Sequence, residues 1–141
     1  MLQVLLLAYG LGTEVLDLFP WNDLASRSGQ YDLKRAIAMN ALPQLGFMGA
    51  FALGLRPLAA LSTIGYGGYL ALMLWRWWPA YLFGADPTWQ AIYAESFSRT
   101  LKLLPAQGTH LPPDAEHLTM HLLTLATLVA TAGATAKMRY L

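Results

Sequence analysis

The chain has 141 residues, of which 56% are hydrophobic and 12% charged, whereas soluble domains carry about 25% charged residues. The net charge of +1 is not gathered into a basic run, which argues against a nucleic-acid partner, and the lack of cysteine excludes disulfides, thiolate metal sites and cysteine nucleophiles. We therefore expect an all-α membrane protein, with the whole chain forming a single polytopic membrane domain.

The first apolar stretch, residues 2–19, carries two carboxylates near its end, Glu14 and Asp17. It lacks a basic leading region and a small-x-small cleavage site, so we predict a helix of the mature protein rather than a signal peptide. Carboxylates are costly at bilayer depth, so they should face the bundle interior, a water-filled cavity or the headgroup layer. Simple solvation beside Trp21 is the alternative.

A polar connector over residues 21–32 leads to the second predicted span, residues 36–55, with Asp32 as a plausible N-cap. Pro43 should kink this helix, and Asn40 and Gln44 lie beside the resulting gap in its hydrogen bonds. Three small residues follow at spacings of four, a pattern that lets helices approach closely: Gly46, Ala50 and Gly54.

The third predicted span, residues 58–78, begins with eighteen uncharged residues and follows a tight turn at Arg56-Pro57, so the two spans should form an antiparallel hairpin. Its small residues are predicted to meet those of the second span: Ala59, Thr63, Gly67 and Ala71. A second face carries Tyr66 and Tyr69, whose hydroxyls need partners at this depth.

An amphipathic helix is predicted over residues 88–104, after Asp86 as N-cap and Pro87. Its charged residues share one face and its apolar residues occupy the rest, which is typical of a helix lying along the membrane surface. A helix packed on the end of the bundle has almost the same pattern.

The last predicted span, residues 117–137, follows Asp114 as N-cap and aligns its polar residues within one arc: His117, His121, Thr124, Thr127, Thr131 and Thr135. Threonines commonly bond to their own helix. Two imidazoles one turn apart suit a metal ion, with a carboxylate from another helix completing the site. The alternative is a headgroup-level His117 and a structural His121.

Four spans would place six Lys and Arg residues on one side of the membrane and three on the other. The positive-inside rule then puts both termini outside and the amphipathic segment in the cytoplasm. If only three segments cross, the two termini lie on opposite sides and this comparison loses its meaning.

Three motifs in the second half of the chain cover about a third of it: Trp78-Pro79-x-Tyr81-x-Phe83-Gly84, Phe97-x-x-Thr100-x-x-x-Leu104-Pro105 and Pro113-Asp114-x-x-His117-x-x-x-His121. In these motifs the chain resembles small bacterial four-helix integral membrane proteins of unassigned function. The run Leu53-Gly54-Leu55-Arg56 is faintly similar to DoxX-like proteins. The resemblance implies four transmembrane helices, and we expect the protein in a bacterial inner membrane.

The aligned polar residues suggest a polar cavity within the bilayer that binds or passes a small solute or cation. The candidate residues are Glu14, Asp17, Asn40, Gln44, Tyr66, Tyr69 and His121. We expect a homo-oligomer or a membrane-protein partner, no cofactor and no enzymatic activity. The alternatives are a non-catalytic subunit of a larger membrane complex and an enzyme with a metal or haem held by His117 and His121.

Overall fold

The computed structural model describes residues 1–27 and 32–138, and within these ranges it contains five α-helices and no strand. The helices are α1 (Leu2–Val15), α2 (Leu33–Ala52), α3 (Arg56–Phe83), α4 (Pro87–Ser96) and α5 (Ala115–Lys137), with a short 3-10 helix at Leu24–Ser26. The all-α prediction is therefore confirmed. Residues 28–31 of the predicted connector lie outside the described ranges. Arg139, one of the three basic residues counted on the outer side of the membrane, also lies outside them.

Helix α1 ends at Val15, four residues before the predicted end at residue 19, because Asn22 caps it. The buried Asn22 amide donates to the backbone oxygens of Thr13 and Leu16, at 2.7 and 3.0 Å, and accepts from the Leu18 nitrogen at 2.8 Å. These bonds satisfy backbone groups that the ended helix leaves free. Asp17 consequently lies beyond the helix and is exposed, so it does not face the interior.

Helices α2 and α3 form the predicted hairpin, with small shifts at their ends. The Asp32 carboxylate accepts from the Arg35 nitrogen at 3.1 Å, which confirms the cap, and α2 begins at Leu33 rather than residue 36. It ends at Ala52 rather than residue 55, because Gly54 adopts φ +68, a conformation that glycine favours. Helix α3 continues past Pro79 to Phe83 and stops at Gly84, whose φ is +92.

Helix α4 ends at Ser96, well before the predicted end at residue 104. The Lys102 ammonium donates to the Phe97 oxygen and, at 2.7 Å, to the Thr100 oxygen, so a side chain caps the carbonyls where the chain turns. On its inner side Trp89 is buried, with its ring 5.2 Å from that of Trp77 in α3. Helix α4 thus packs on the end of α3, which is the alternative of a helix packed on the end of the bundle.

Helix α3 packs against α2 and α5, and α1 packs against the same two helices, so the four helices contact one another in a ring. Leu6, Tyr66 and Met120 form a cluster of buried residues between them. The predicted meeting of small residues is wrong. Gly46 of α2 and Gly54, which follows α2, are exposed, as is Ala71 of α3. Thr63 of α3 instead faces α5, where it shares a hydrogen bond of 3.2 Å with Thr135.

Helices α3 and α5 are long and apolar enough to cross a membrane. At about 1.5 Å per residue, α1 covers roughly 21 Å, short of a hydrocarbon core of about 30 Å. Several apolar residues of α5 point outward, with Leu122 59% and Val129 64% exposed, whereas Thr124 and Thr127 are fully buried. The helix therefore turns its polar side inward and its apolar side outward.

Candidate functional site

Two carboxylates on different helices share one guanidinium at the end of the ring where α1 ends and α5 begins. Arg27, in the chain segment after α1, donates to Glu14 Oε2 at 2.7 Å and lies 3.7 Å from Glu116 Oε1 of α5. The three side chains are 10% to 18% exposed. Ion pairs this sheltered are held far more strongly by their partners than surface pairs, because water screens them less.

The network continues from Glu14 across α2 to α3. Asn40 Nδ2 donates to Glu14 Oε1 at 2.9 Å, and the Tyr69 hydroxyl donates to Asn40 Oδ1 at 2.9 Å. The chain of contacts from Glu116 through Arg27, Glu14 and Asn40 to Tyr69 therefore joins all four helices of the ring. We call it the polar network. Tyr69 gains the partner that a hydroxyl at this depth needs.

A cavity of about 320 Å³ borders the polar network, and we call it the network cavity. Its polar wall includes the side chains of Glu14, Asn40, Tyr69 and Glu116, and its apolar wall includes Leu72, Met73 and Met120. Arg76 also borders it, but its guanidinium stacks 3.9 Å from the ring centre of Trp89 in α4. This size suits a small molecule or an ion with some of its water.

Asp114 is fully buried and organises the start of α5, as its predicted role of N-cap requires. Its Oδ1 accepts from the His117 backbone nitrogen at 3.0 Å and lies 2.7 Å from His117 Nδ1, while Oδ2 accepts from the Thr100 hydroxyl at 2.8 Å. Burial alone would raise the pKa of Asp114, but the hydrogen bonds and charge of His117 and the Thr100 hydroxyl outweigh it, so the pKa is lowered.

Two neighbours of Asp114 also titrate away from their usual range. Burial raises the pKa of Tyr93 to about 12, and its hydroxyl donates to the Pro112 oxygen at 2.9 Å. Burial lowers the pKa of Lys102, and the Asp114 charge opposes that shift. Tyr93 therefore stays a hydrogen-bond donor throughout the physiological pH range.

The structure contains a cluster of potential metal ligands that is not the predicted pair of histidines, His117 and His121. The ligand atoms of Asp114, Glu116 and His117 lie within 4.8 Å of one another, and His121 is not part of that group. Both Asp114 oxygens already accept hydrogen bonds, and Glu116 Oε1 lies 3.7 Å from the Arg27 guanidinium. These residues therefore fit a helix cap and an ion pair better than a metal site.

Three further predicted residues lie inside the ring with polar atoms that lack a close hydrogen bond to the protein. Gln44 is 3% exposed, Tyr66 0% and His121 4%. Both polar atoms of the Gln44 amide and both ring nitrogens of His121 have no hydrogen-bond partner among the described residues, and the Tyr66 hydroxyl lies near the Gln3 side chain without a close hydrogen bond to it. Each such atom costs about 1 to 3 kcal/mol relative to its hydrated state, which marks this region for a bound polar species.

Of the predicted residues, the structure brings Glu14, Asn40 and Tyr69 into contact and places Asp17 apart on the surface. Arg27 is the residue that the sequence reasoning missed. It lies in a loop, where helical periodicity says nothing about direction, and the only signal was the need of two intramembrane carboxylates for a cation.

Comparison with protein-family models, with curated proteins and with solved structures finds no match for this chain. The functional argument therefore proceeds from the geometry of the polar network and its cavity.

Proposed function

We propose that this is an integral membrane protein that binds a small cation, or a small solute with a cationic group, in the network cavity. Helices α3 and α5 cross the bilayer, and α1 and α2 complete the bundle around the cavity as the third and fourth membrane-embedded segments. Helix α1, which ends at Val15 where Asn22 caps it, contributes Glu14 to the cavity.

The distribution of polarity supports a lipid environment. A core helix of a soluble protein is mostly buried, but only 22% of the most apolar window of α3 and 28% of that of α5 are buried. The exposed residues of these windows include Ile64 and Leu72, each 70% exposed. Contiguous apolar surface of this kind is rare on soluble monomers, and lipid would cover it.

The single observation that carries the proposed cation binding is the charge of the polar network. Glu14 and Glu116 share Arg27, so two carboxylates face one guanidinium. Arg76, the other guanidinium that borders the cavity, lies over the Trp89 ring, and no ion pair joins it to Glu14 or Glu116 among the described residues. The two carboxylates therefore share one directly bonded cation in a sheltered site, where a carboxylate with few partners is expensive. A small cation beside Glu14 would supply a second partner.

The outer face of α2 supports association of the protein in the membrane. Gly46 and Gly49 are exposed, and a Cβ atom placed on either would meet no other atom within 4 Å. Small residues on a lipid-facing helix allow another helix to approach closely. A homo-oligomer joined through α2 is consistent with this surface, and cross-linking in lipid would measure it.

Cation binding is tested by thermal unfolding of the purified protein in lipid nanodiscs, followed by tryptophan fluorescence. The probes are sodium, potassium and tetramethylammonium chloride, each compared with N-methylglucamine chloride at equal ionic strength. We expect at least one probe to raise Tm, since a ligand at about 100 times its Kd stabilises by about 2.7 kcal/mol.

The variant Glu14→Gln removes the charge and should abolish the rise in Tm. Glu95→Gln is the matched control. Glu95 is exposed on α4, and its substitution makes the same change in net charge outside the cavity. An equal response of Glu14→Gln and the wild type, or no response to any of the three probes, would contradict the proposal.

A further inference from the structure

We propose that the protein conducts protons between two cavities at opposite ends of its helical ring, along a row of buried polar side chains. The inference rests on the proposed function of the network cavity, to which it adds a second cavity, a path and a transported species.

The second cavity, also about 320 Å³, lies at the far end of the ring from the polar network. It is bordered by the start of α1, the end of α2 and the last part of α5, with Gln3, Thr127 and Thr131 as polar members. Helix α1 runs from Gln3 in this cavity to Glu14 in the network cavity. At about 1.5 Å per residue the two are roughly 17 Å apart along the axis.

Two buried groups that lack a close hydrogen bond to the protein, on Gln44 and Tyr66, lie between the two ends of α1. Gln44 Nε2 is 3.9 Å from the position that a Cβ on Gly10 would take. Tyr66 belongs to the same buried cluster as Leu6, one turn nearer to the second cavity. The Gln44 amide and the Tyr66 hydroxyl thus stand at intermediate depths, and both are more than nine-tenths buried. Single water molecules could join groups spaced by about one helical turn.

Helix α5 supplies the opposite wall of this path. His121, Thr124, Thr127 and Thr131 are all buried on its inner side. The three threonine hydroxyls donate to carbonyls of their own helix, at 2.8, 2.8 and 3.0 Å, so their oxygens remain free to accept from a water molecule. The two ring nitrogens of His121 offer one donor and one acceptor.

The packing between the cavities favours protons over hydrated ions. Leu6 and Tyr66 are 0% exposed and fill the middle of the ring, and Met120 packs beside them. A metal ion would have to shed its water there, at a high desolvation cost. A proton instead moves by exchange: each step forms one O–H or N–H bond and breaks the next, and nothing is oxidised or reduced. The Tyr66 hydroxyl, the His121 imidazole and water take part in such exchange, whereas the threonine hydroxyls, which donate to carbonyls, only accept from water and orient it, as the Gln44 amide does.

The test uses purified protein in liposomes that contain a pH-sensitive dye. A potassium gradient with valinomycin sets a membrane potential, and the change of internal pH reports proton flux. We expect wild-type liposomes to change pH faster than protein-free liposomes. Gln44→Met keeps the side-chain length and removes both polar atoms, and it should lower the flux about tenfold or more.

Leu42→Met is the matched control, since Leu42 is on the same helix and 67% exposed, and it should leave the flux unchanged. Tyr66→Phe removes only the hydroxyl and should also lower the flux. It serves as the test variant if Gln44→Met does not fold. A wild-type flux equal to that of protein-free liposomes overturns the proton path, as does undiminished flux in the polar-atom variants. Loss of the Glu14-dependent rise in Tm with intact flux would instead overturn cation binding, so the two proposals fail separately.

Discussion

Replacing Arg27 by methionine tests whether the polar network stabilises the fold. The guanidinium donates to Glu14 Oε2 at 2.7 Å and lies 3.7 Å from Glu116 Oε1, and these side chains are 10% to 18% exposed. Removing one partner of a fully buried pair costs about 3 to 5 kcal/mol, since a charge is left without a counterion. Because this pair keeps some contact with solvent, we expect the free energy of unfolding to fall by about 2 to 4 kcal/mol.

The assay is chemical unfolding in detergent micelles, followed by tryptophan fluorescence. Adding Glu14→Gln to Arg27→Met removes one stranded charge and should recover part of the loss, since neighbouring substitutions in one network are not additive. Arg35→Met is the control, because Arg35 is exposed, and it should change stability by less than about 0.5 kcal/mol. Equal stability of Arg27→Met and Arg35→Met, or no recovery in the double variant, would refute the reasoning.

Two further pairs of substitutions address the cap of α5 and the contact between α2 and α3. Asp114→Ala removes a cap and strands buried donors, so it should cost about 3 kcal/mol in urea unfolding, and Asp114→Asn should cost less. Since the folded-state pKa of Asp114 is lowered, its carboxylate stabilises the fold at neutral pH. That effect starts to fade below the unfolded pKa of about 4 and is lost as pH falls through the lower folded pKa, so wild type and Asp114→Asn should begin to converge below about pH 4. Gly65→Ala places a Cβ against the Phe47 ring, which must shift, and should cost about 1 to 3 kcal/mol. Gly68→Ala meets open space and should not lower Tm. Convergence that is absent, or equal effects of the two glycine substitutions, would count against these contacts.

Helix existence and the aspartate caps followed from the sequence, because periodicity and N-cap chemistry are local. Asp32 and Asp114 both cap the helices for which they were predicted. Helix ends were less predictable where a distant side chain decides them. The Asn22 side chain ends α1 by donating to backbone carbonyls at the end of that helix, and residue spacing in the sequence does not predict these bonds.

The inward direction of the polar residues could be read from helical periodicity, but their partners could not. Glu14, Asn40 and Tyr69 lie on three different helices, and their contacts depend on the axial registration of those helices. The partners of the small residues in α2 and α3 were also not predictable from the sequence. Their spacing suits helix contact, but Gly46 faces outward and Gly67 faces α5. Spacing gives the face of a helix, and tertiary packing chooses what meets it.

The central claim is that the apolar outer surfaces of α3 and α5 lie in lipid while their polar sides face inward. The chain has no cysteine, so single spin labels can be placed at Leu72→Cys and Leu125→Cys on the outer surface and at Gln107→Cys in an exposed loop. Electron paramagnetic resonance in liposomes then compares accessibility to oxygen, which concentrates in lipid, with accessibility to a water-soluble nickel complex. We predict high oxygen and low nickel accessibility at positions 72 and 125, and the reverse at 107. Nickel accessibility at 72 and 125 equal to that at 107 would contradict the account.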